Sequence, residues 1–147
     1  MKIGLCSDQR GFYLKSELVK FLGEKGYEVK DFGTDSDESV DFPDFAFKLG
    51  DAIVNGDVAM GIAICGTGIG MSIALNKVKG VYCAKISSIN EAVLCRQHNN
   101  ANAIAFSADI DQELAKEMVD KFLETTFLDA DKYKRRNKMI KDREKND

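Results

Sequence analysis

The stretch that most constrains the fold is the nearly continuous apolar run over residues 58–65, which ends at Cys65 and meets three alternating glycines, Gly66, Gly68 and Gly70. A run of this kind predicts a strand covered on both faces, as in a parallel sheet. Strand and helix signals alternate around it. Residues 2–6 form a short apolar run, and Leu14, Leu18, Phe21 and Leu22 recur at spacings of three and four, predicting a helix over 14–26. Strands are then expected at 27–32, 80–86 and 101–106, and helices at 44–55, 70–78, 88–96 and 111–125, with residues 33–43 as a polar loop. The charged tail from Asp129 onward predicts a last helix. Alternation with short links implies an α/β fold: a Rossmann-like, doubly wound parallel sheet with helices on both faces and a charged C-terminal helix. At 147 residues the chain fits one domain over 1–147.

Composition excludes several classes of function. A 44% hydrophobic and 31% charged make-up is that of a soluble globular protein, and no apolar run approaches the ~20 residues of a membrane span. The first residues read as a strand and not as a signal peptide. Cys6, Cys65, Cys83 and Cys95 form no Cys-x-x-Cys pair, which predicts free thiols in a reducing cytoplasm and disfavours zinc. One histidine, His98, cannot build a multi-histidine metal site within one chain. The net charge of −3 argues against nonspecific nucleic-acid binding. Over residues 129–147, eight Lys/Arg stand against five Asp/Glu, so the tail is basic and the remainder acidic. Such a tail reads as a solvated helix face or an anion contact.

In a doubly wound fold, ligands bind beyond the carboxyl ends of the strands. That rule selects Ser7-Asp8, the loop around Asp41-Phe42-Pro43, the Cys65–Gly70 turn, Ser87-Ser88 and the segment from Ser107. Glycines at 66, 68 and 70 let backbone N–H groups converge at a helix start, which suits an anion such as a phosphate, a carboxylate or an enediolate. The dinucleotide pattern would need glycine at position 71, which is Met71, and the Lys-Ser/Thr ending of a P-loop is absent. Cys65 reads either as a small residue closing a buried strand or as a thiolate favoured by the same N–H groups. His98, in a polar stretch placed between a helix and a strand, is either a packed residue or the one side chain whose ordinary pKa lies near neutrality. Asp8 points to the same rim or shapes the turn before Gly11. Composition and spacing give no reaction.

Five blocks carry a resemblance. They are Ser7-Asp8 with Gly11 and Lys15; Asp31-Phe32-Gly33-Thr34; Ser39 to Asp44; Ile64-Cys65-Gly66-Thr67-Gly68-Ile69-Gly70 through Asn76-Lys77; and His98-Asn99 with Ala101-Asn102. In this order, over nearly the whole chain, they resemble the ribose-5-phosphate isomerase B and galactose-6-phosphate isomerase family. The resemblance implies aldose–ketose isomerisation through an enediol, without metal or organic cofactor. It implies Cys65 as the base, Gly66, Gly68 and Gly70 as the anion hole, and Thr67 and His98 as assistants in ring opening. Asp8, Gln9, Phe42, Asn99 and Arg135 are implied as substrate-binding positions. Homodimers or homotetramers are implied too, with each site shared so that His98 comes from the neighbouring chain.

The chain departs from the family at several of these positions. Gln9 stands where the family usually has histidine, and Phe42 where it has tyrosine. Family arginines that grip phosphate match Asp109, Asp131 and Arg135, so two of three carry the opposite sign and are expected to repel a dianion. Three functions are therefore in play: ribose 5-phosphate isomerisation; the same chemistry on galactose 6-phosphate, another sugar phosphate or an unphosphorylated sugar; and a sugar-phosphate-binding subunit without turnover.

Overall fold

A computed structural model describes residues 1–146. The elements run β1 (Lys2–Ser7), α1 (Phe12–Glu24), β2 (Glu28–Asp31), α2 (Phe42–Asn55), β3 (Met60–Cys65), α3 (Ile69–Asn76), β4 (Cys83–Lys85), α4 (Ile89–Asn99), β5 (Ala103–Ser107), α5 (Gln112–Glu124) and α6 (Asp131–Lys145). All strand pairs are parallel, in the order β2-β1-β3-β5-β4. The expected doubly wound α/β sheet with a charged C-terminal helix is the observed architecture. No helix is long and apolar enough to cross a membrane among the described residues.

Alternation along the strands sorts side chains by size. Ile3, Leu5, Ile62, Ile64, Ile104 and Phe106 face α1, α4 and α5, where Leu18, Leu22, Ala92, Met118 and Phe122 complete a fully buried layer. Cys6, Ala63, Cys65, Ala103 and Ala105 face α2 and α3. Small residues on this second face let the two helices come close. A Cβ on Gly61 would stand 2.8 Å from Ile53 Cδ1, and one on Gly4 2.7 Å from Leu49 Cδ1. Close packing of α2 and α3 is what brings the start of α3 down onto the end of β3.

The element boundaries differ from expectation where local chemistry overrides pattern. α2 begins at Phe42, not Asp44, because Pro43 is tolerated in a first helical turn. β4 is only three residues of the expected 80–86, because Asn76 satisfies both backbone groups of Cys83 and turns the chain there. α4 continues through Asn99, so His98 and Asn99 lie in its last turn and not in a loop after it. The helix stops at Asn100, which takes the left-handed conformation asparagine tolerates (φ 51°).

Candidate active site

The strand order reverses at β1 and β3, so the crevice outside their carboxyl ends is the topological switch point. Asp8 lines it from β1. Its N–H donates to the Ile64 carbonyl at 3.1 Å, and its carboxylate accepts from the Gly11 N–H at 3.0 Å. Gly11 is required there: a Cβ would sit 2.7 Å from the Ile64 side chain and 2.8 Å from its carbonyl oxygen. Cys65 closes β3 at 5% exposure, part of the α2–α3 core layer, with its sulfur at the crevice floor. The Gly68 N–H donates to Cys65 Sγ at 3.2 Å. Cys65 thus packs as a core residue and also turns its sulfur to the glycine turn.

The turn itself depends on glycine. Gly68 has φ +82°, and a Cβ there would lie 2.7 Å from the Phe106 backbone. A Cβ on Gly70 would meet the Phe42 ring at 2.6 Å, so Phe42 roofs the turn directly. Thr67 is exposed, and its hydroxyl accepts from the Ile69 N–H at 3.1 Å. Gly68 brings no side chain to cap α3. The first-turn N–H groups of Gly70 and Met71 are thus directed outward at the positive end of the helix.

Two further loops frame the crevice. Ser107 Oγ donates to the Gly66 carbonyl at 2.8 Å, the Asp109 N–H donates to Ser107 Oγ at 3.0 Å, and the Ala108 N–H donates to the Cys65 carbonyl at 2.8 Å. On the other side, Lys15 is fully buried, with Nζ on Asp31 Oδ1 at 2.7 Å and on the Thr34 carbonyl. Asp31 also accepts from the Gly33 N–H at 2.9 Å. Buried charge demands this pairing, which ties α1 to the chain leaving β2. Gln9 accepts from the Val40 N–H at 3.2 Å and Tyr13 donates to Asp37 at 3.1 Å, so Gln9 braces the 33–41 loop.

His98, Asn99 and Arg135 are elsewhere. α4 starts at the carboxyl rim and runs back across the sheet for 11 residues, about 16 Å. His98 therefore lies toward the amino ends of the strands, and the chain does not bring it to Cys65. There the His98 ring stacks on Tyr133 of α6, with centroids 4.7 Å apart. Asn137 Nδ2 donates to the Asn99 carbonyl at 2.9 Å, and Glu144 accepts from the Gly80 N–H at 2.7 Å. Buried Arg96 fixes the helix end, donating to the carbonyls of Thr125 (3.1 Å) and Ala101 (2.6 Å) and to Asn100 Oδ1 (2.9 Å). A cavity of about 620 Å³ lies between α6 and the body, lined by Asn76, Tyr82, Cys83, Cys95, Asn99 and Asn137 among others. Arg135 is exposed, two residues on from Tyr133 and so on the opposite side of α6.

Asp109 and Asp131 are not the bare repulsive charges expected. Asp109 carries Arg10, with Nη2 at 3.1 and 3.3 Å from its two oxygens. Asp131 opens α6, where a carboxylate meets the positive end of the helix. Burial pushes the thiol of Cys6 well up, that of Cys83 to about 12 and that of Cys95 to about 11. Those three stay protonated at neutral pH. No group of three or more His, Cys, Asp or Glu able to hold a metal occurs among the described residues.

Sequence reasoning missed Arg10, Lys15's pairing with Asp31, Arg96 and Tyr133. Arg10 carries a signal in hindsight, as a lone cation directly after the strand-end Ser7-Asp8-Gln9. Tyr133 carries none, because nothing in the sequence sets the register of α6 against α4.

The family model described as ribose/galactose isomerase matches residues 3–140. Ribose-5-phosphate isomerase B of Escherichia coli is 46% identical over 123 residues, covering 83% of each chain. A solved Clostridium thermocellum ribose-5-phosphate isomerase B superposes with a TM-score of 0.96 at 43% identity, covering 99% of both chains. The Mycoplasma genitalium ribose-5-phosphate isomerase B, solved with bound ribulose-5-phosphate, gives 0.92 at 39% identity, covering 98% of this chain and 96% of that one.

Proposed function

This chain belongs to the ribose/galactose isomerase family, and from that premise we propose that it interconverts ribose 5-phosphate and ribulose 5-phosphate through an enediol. The observation that carries the reading is Cys65 at the switch-point crevice, its sulfur turned to the Gly68 N–H where α3 begins. Cys65, as thiolate, takes the proton from the carbon next to the aldehyde. The C–H electron pair forms the C=C bond, and the carbonyl oxygen becomes an enediolate held by the outward N–H groups of the glycine turn. The Cys65 thiol returns the proton to the former aldehyde carbon while the proton of the neighbouring hydroxyl passes to the enediolate oxygen, which leaves a ketone at the second carbon, a hydroxyl at the first, and the thiolate regenerated. Atoms and electrons balance without any co-reactant. Asp8 binds sugar hydroxyls, and Thr67 and His98 assist ring opening.

We infer further that the working site belongs to two copies of the chain, one giving Cys65 and Thr67, the other His98, Asn99 and Arg135. The separation of Cys65 and His98 by the length of α4 supports this. So do Ile69 and Ile73, one turn apart on α3 beside the glycine turn and more than half exposed. Four free cysteines fit a reducing cytoplasm.

The test is turnover of ribose 5-phosphate, galactose 6-phosphate and the free sugars by wild type and by Cys65→Ala. Activity is expected on ribose 5-phosphate and is lost in the variant with the fold intact. Near wild-type activity in Cys65→Ala removes Cys65 from the mechanism. No turnover of any sugar by the wild-type chain makes it a binding subunit instead.

A further inference from the structure

We propose that Arg10, braced by Asp109, is the cation that receives the phosphate of the substrate at the mouth of the glycine turn. This rests on the isomerase reading above and adds a specificity residue that proton transfer does not itself require. Arg10 sits in the turn between β1 and α1 and reaches across the crevice. A Cβ on Gly66 would stand 3.7 Å from its Nη1, so the guanidinium lies alongside the first glycine of the turn. Its other edge is spent on Asp109, through Nη2.

The brace is built into the site. Asp109 is fixed by its N–H to Ser107 Oγ, and Ser107 Oγ is fixed to the Gly66 carbonyl. The next residue back, Ala108, is bonded to the carbonyl of Cys65. The position of the guanidinium is thus set against the backbone of the residue that moves the proton. Both side chains remain more than half exposed, 56% and 74%. An exposed pair of this kind holds by about 1 kcal/mol or less. It orients the arginine fork but does not consume it, since guanidinium offers five N–H donors and among the described residues only Nη2 is engaged. A phosphate dianion takes such a fork through paired, charge-assisted hydrogen bonds. The charged neighbours are Asp109 itself and Asp8, whose Oδ1 accepts from the Gly11 N–H. Arg10 is the cation placed beside Gly66, and it stands where the sign of Asp109 alone suggested repulsion.

The purified full-length chain is assayed with ribose 5-phosphate, with inorganic phosphate as competitive inhibitor, and binding of ribose 5-phosphate is read by calorimetry. Arg10→Gln is expected to raise KM about tenfold, as loss of a charge-assisted contact does, with kcat within about twofold. The inhibition constant of inorganic phosphate should rise in parallel. Asp109→Asn keeps the cation but removes the charge that orients it, and is expected to raise both by a smaller factor, about two- to threefold. Equal losses in both variants would mean that the pair is a structural latch, and an unchanged KM in Arg10→Gln would mean that the anion sits elsewhere; either overturns the proposal. The two readings fail separately. A wild-type chain that binds ribose 5-phosphate through Arg10 without turnover refutes the isomerase reading alone. One that turns over and ignores Arg10→Gln refutes this one alone. A chain that does neither refutes both.

Discussion

Tyr133 lays its ring against the imidazole of His98, centroids 4.7 Å apart and planes within 18°. α6 buries none of its own residues in the chain, and this stack, Asn137 on Asn99 and Glu144 on Gly80 are among its attachments to the body. The C-terminal helix therefore sets the orientation of the one histidine.

If His98 opens the sugar ring, removing the stack should cost catalysis. Aromatic pairs contribute about 0.5–1.5 kcal/mol, so Tyr133→Ala is expected to lower kcat roughly two- to tenfold. Tyr133→Phe keeps the ring and should restore wild-type kcat. Equal losses in both variants, measured in the same assay, would point to the hydroxyl and not to the stack.

The proposal of a site shared between two copies makes a stricter prediction. Cys65→Ala and His98→Ala should each be inactive alone. Mixing the two after co-refolding yields mixed dimers in which one site is doubly impaired and the other intact, so activity should return to about a quarter of wild type. No recovery in a mixture shown by mass spectrometry to contain mixed dimers would place both residues in one chain's site.

A third prediction concerns acid stability. Ser88 caps the start of α4 and Glu91 reaches back one residue beyond it: the Glu91 N–H donates to Ser88 Oγ, and the Ser87 N–H donates to the Glu91 carboxylate at 2.8 Å, a variant of the capping box. That backbone donor, with the two serine hydroxyls, holds the Glu91 carboxyl below the usual carboxylate range. A lowered folded pKa means that the stabilisation is present above the unfolded pKa and is lost as pH falls through the folded one. Glu91→Gln should lower Tm at pH 7 by about 2–4 °C, for roughly 1 kcal/mol at an exposed cap. The gap to wild type should shrink toward pH 3. A gap independent of pH would show that a neutral hydrogen bond, not the charge, carries the effect.

The sheet was legible because burial on both faces leaves an apolar run with no polar face, as over residues 58–65, and because helices at spacings of three and four flank it. The glycine turn was legible because only glycine permits φ +82° with a backbone at 2.7 Å, as at Gly68. Those constraints are local, so the sequence alone carries them. The length of α4 was not legible, since Gln97, His98 and Asn99 are polar and the bonds that hold that last turn closed, such as those of Arg96 to Thr125 and Ala101 and of Leu128 to Gln97, come from residues distant in sequence or beyond the helix.

By itself, then, the sequence determined the doubly wound sheet, the glycine turn after Cys65 and the family to which the chain belongs. Only the tertiary structure decided how the charges and the histidine are deployed. Arg10 and Asp109 are 99 residues apart and meet because β1 and β5 both flank β3. His98 is carried away from Cys65 because a parallel sheet returns each crossover helix to the opposite end. Pairings of that kind depend on which strands are neighbours, and no local pattern of residues encodes that.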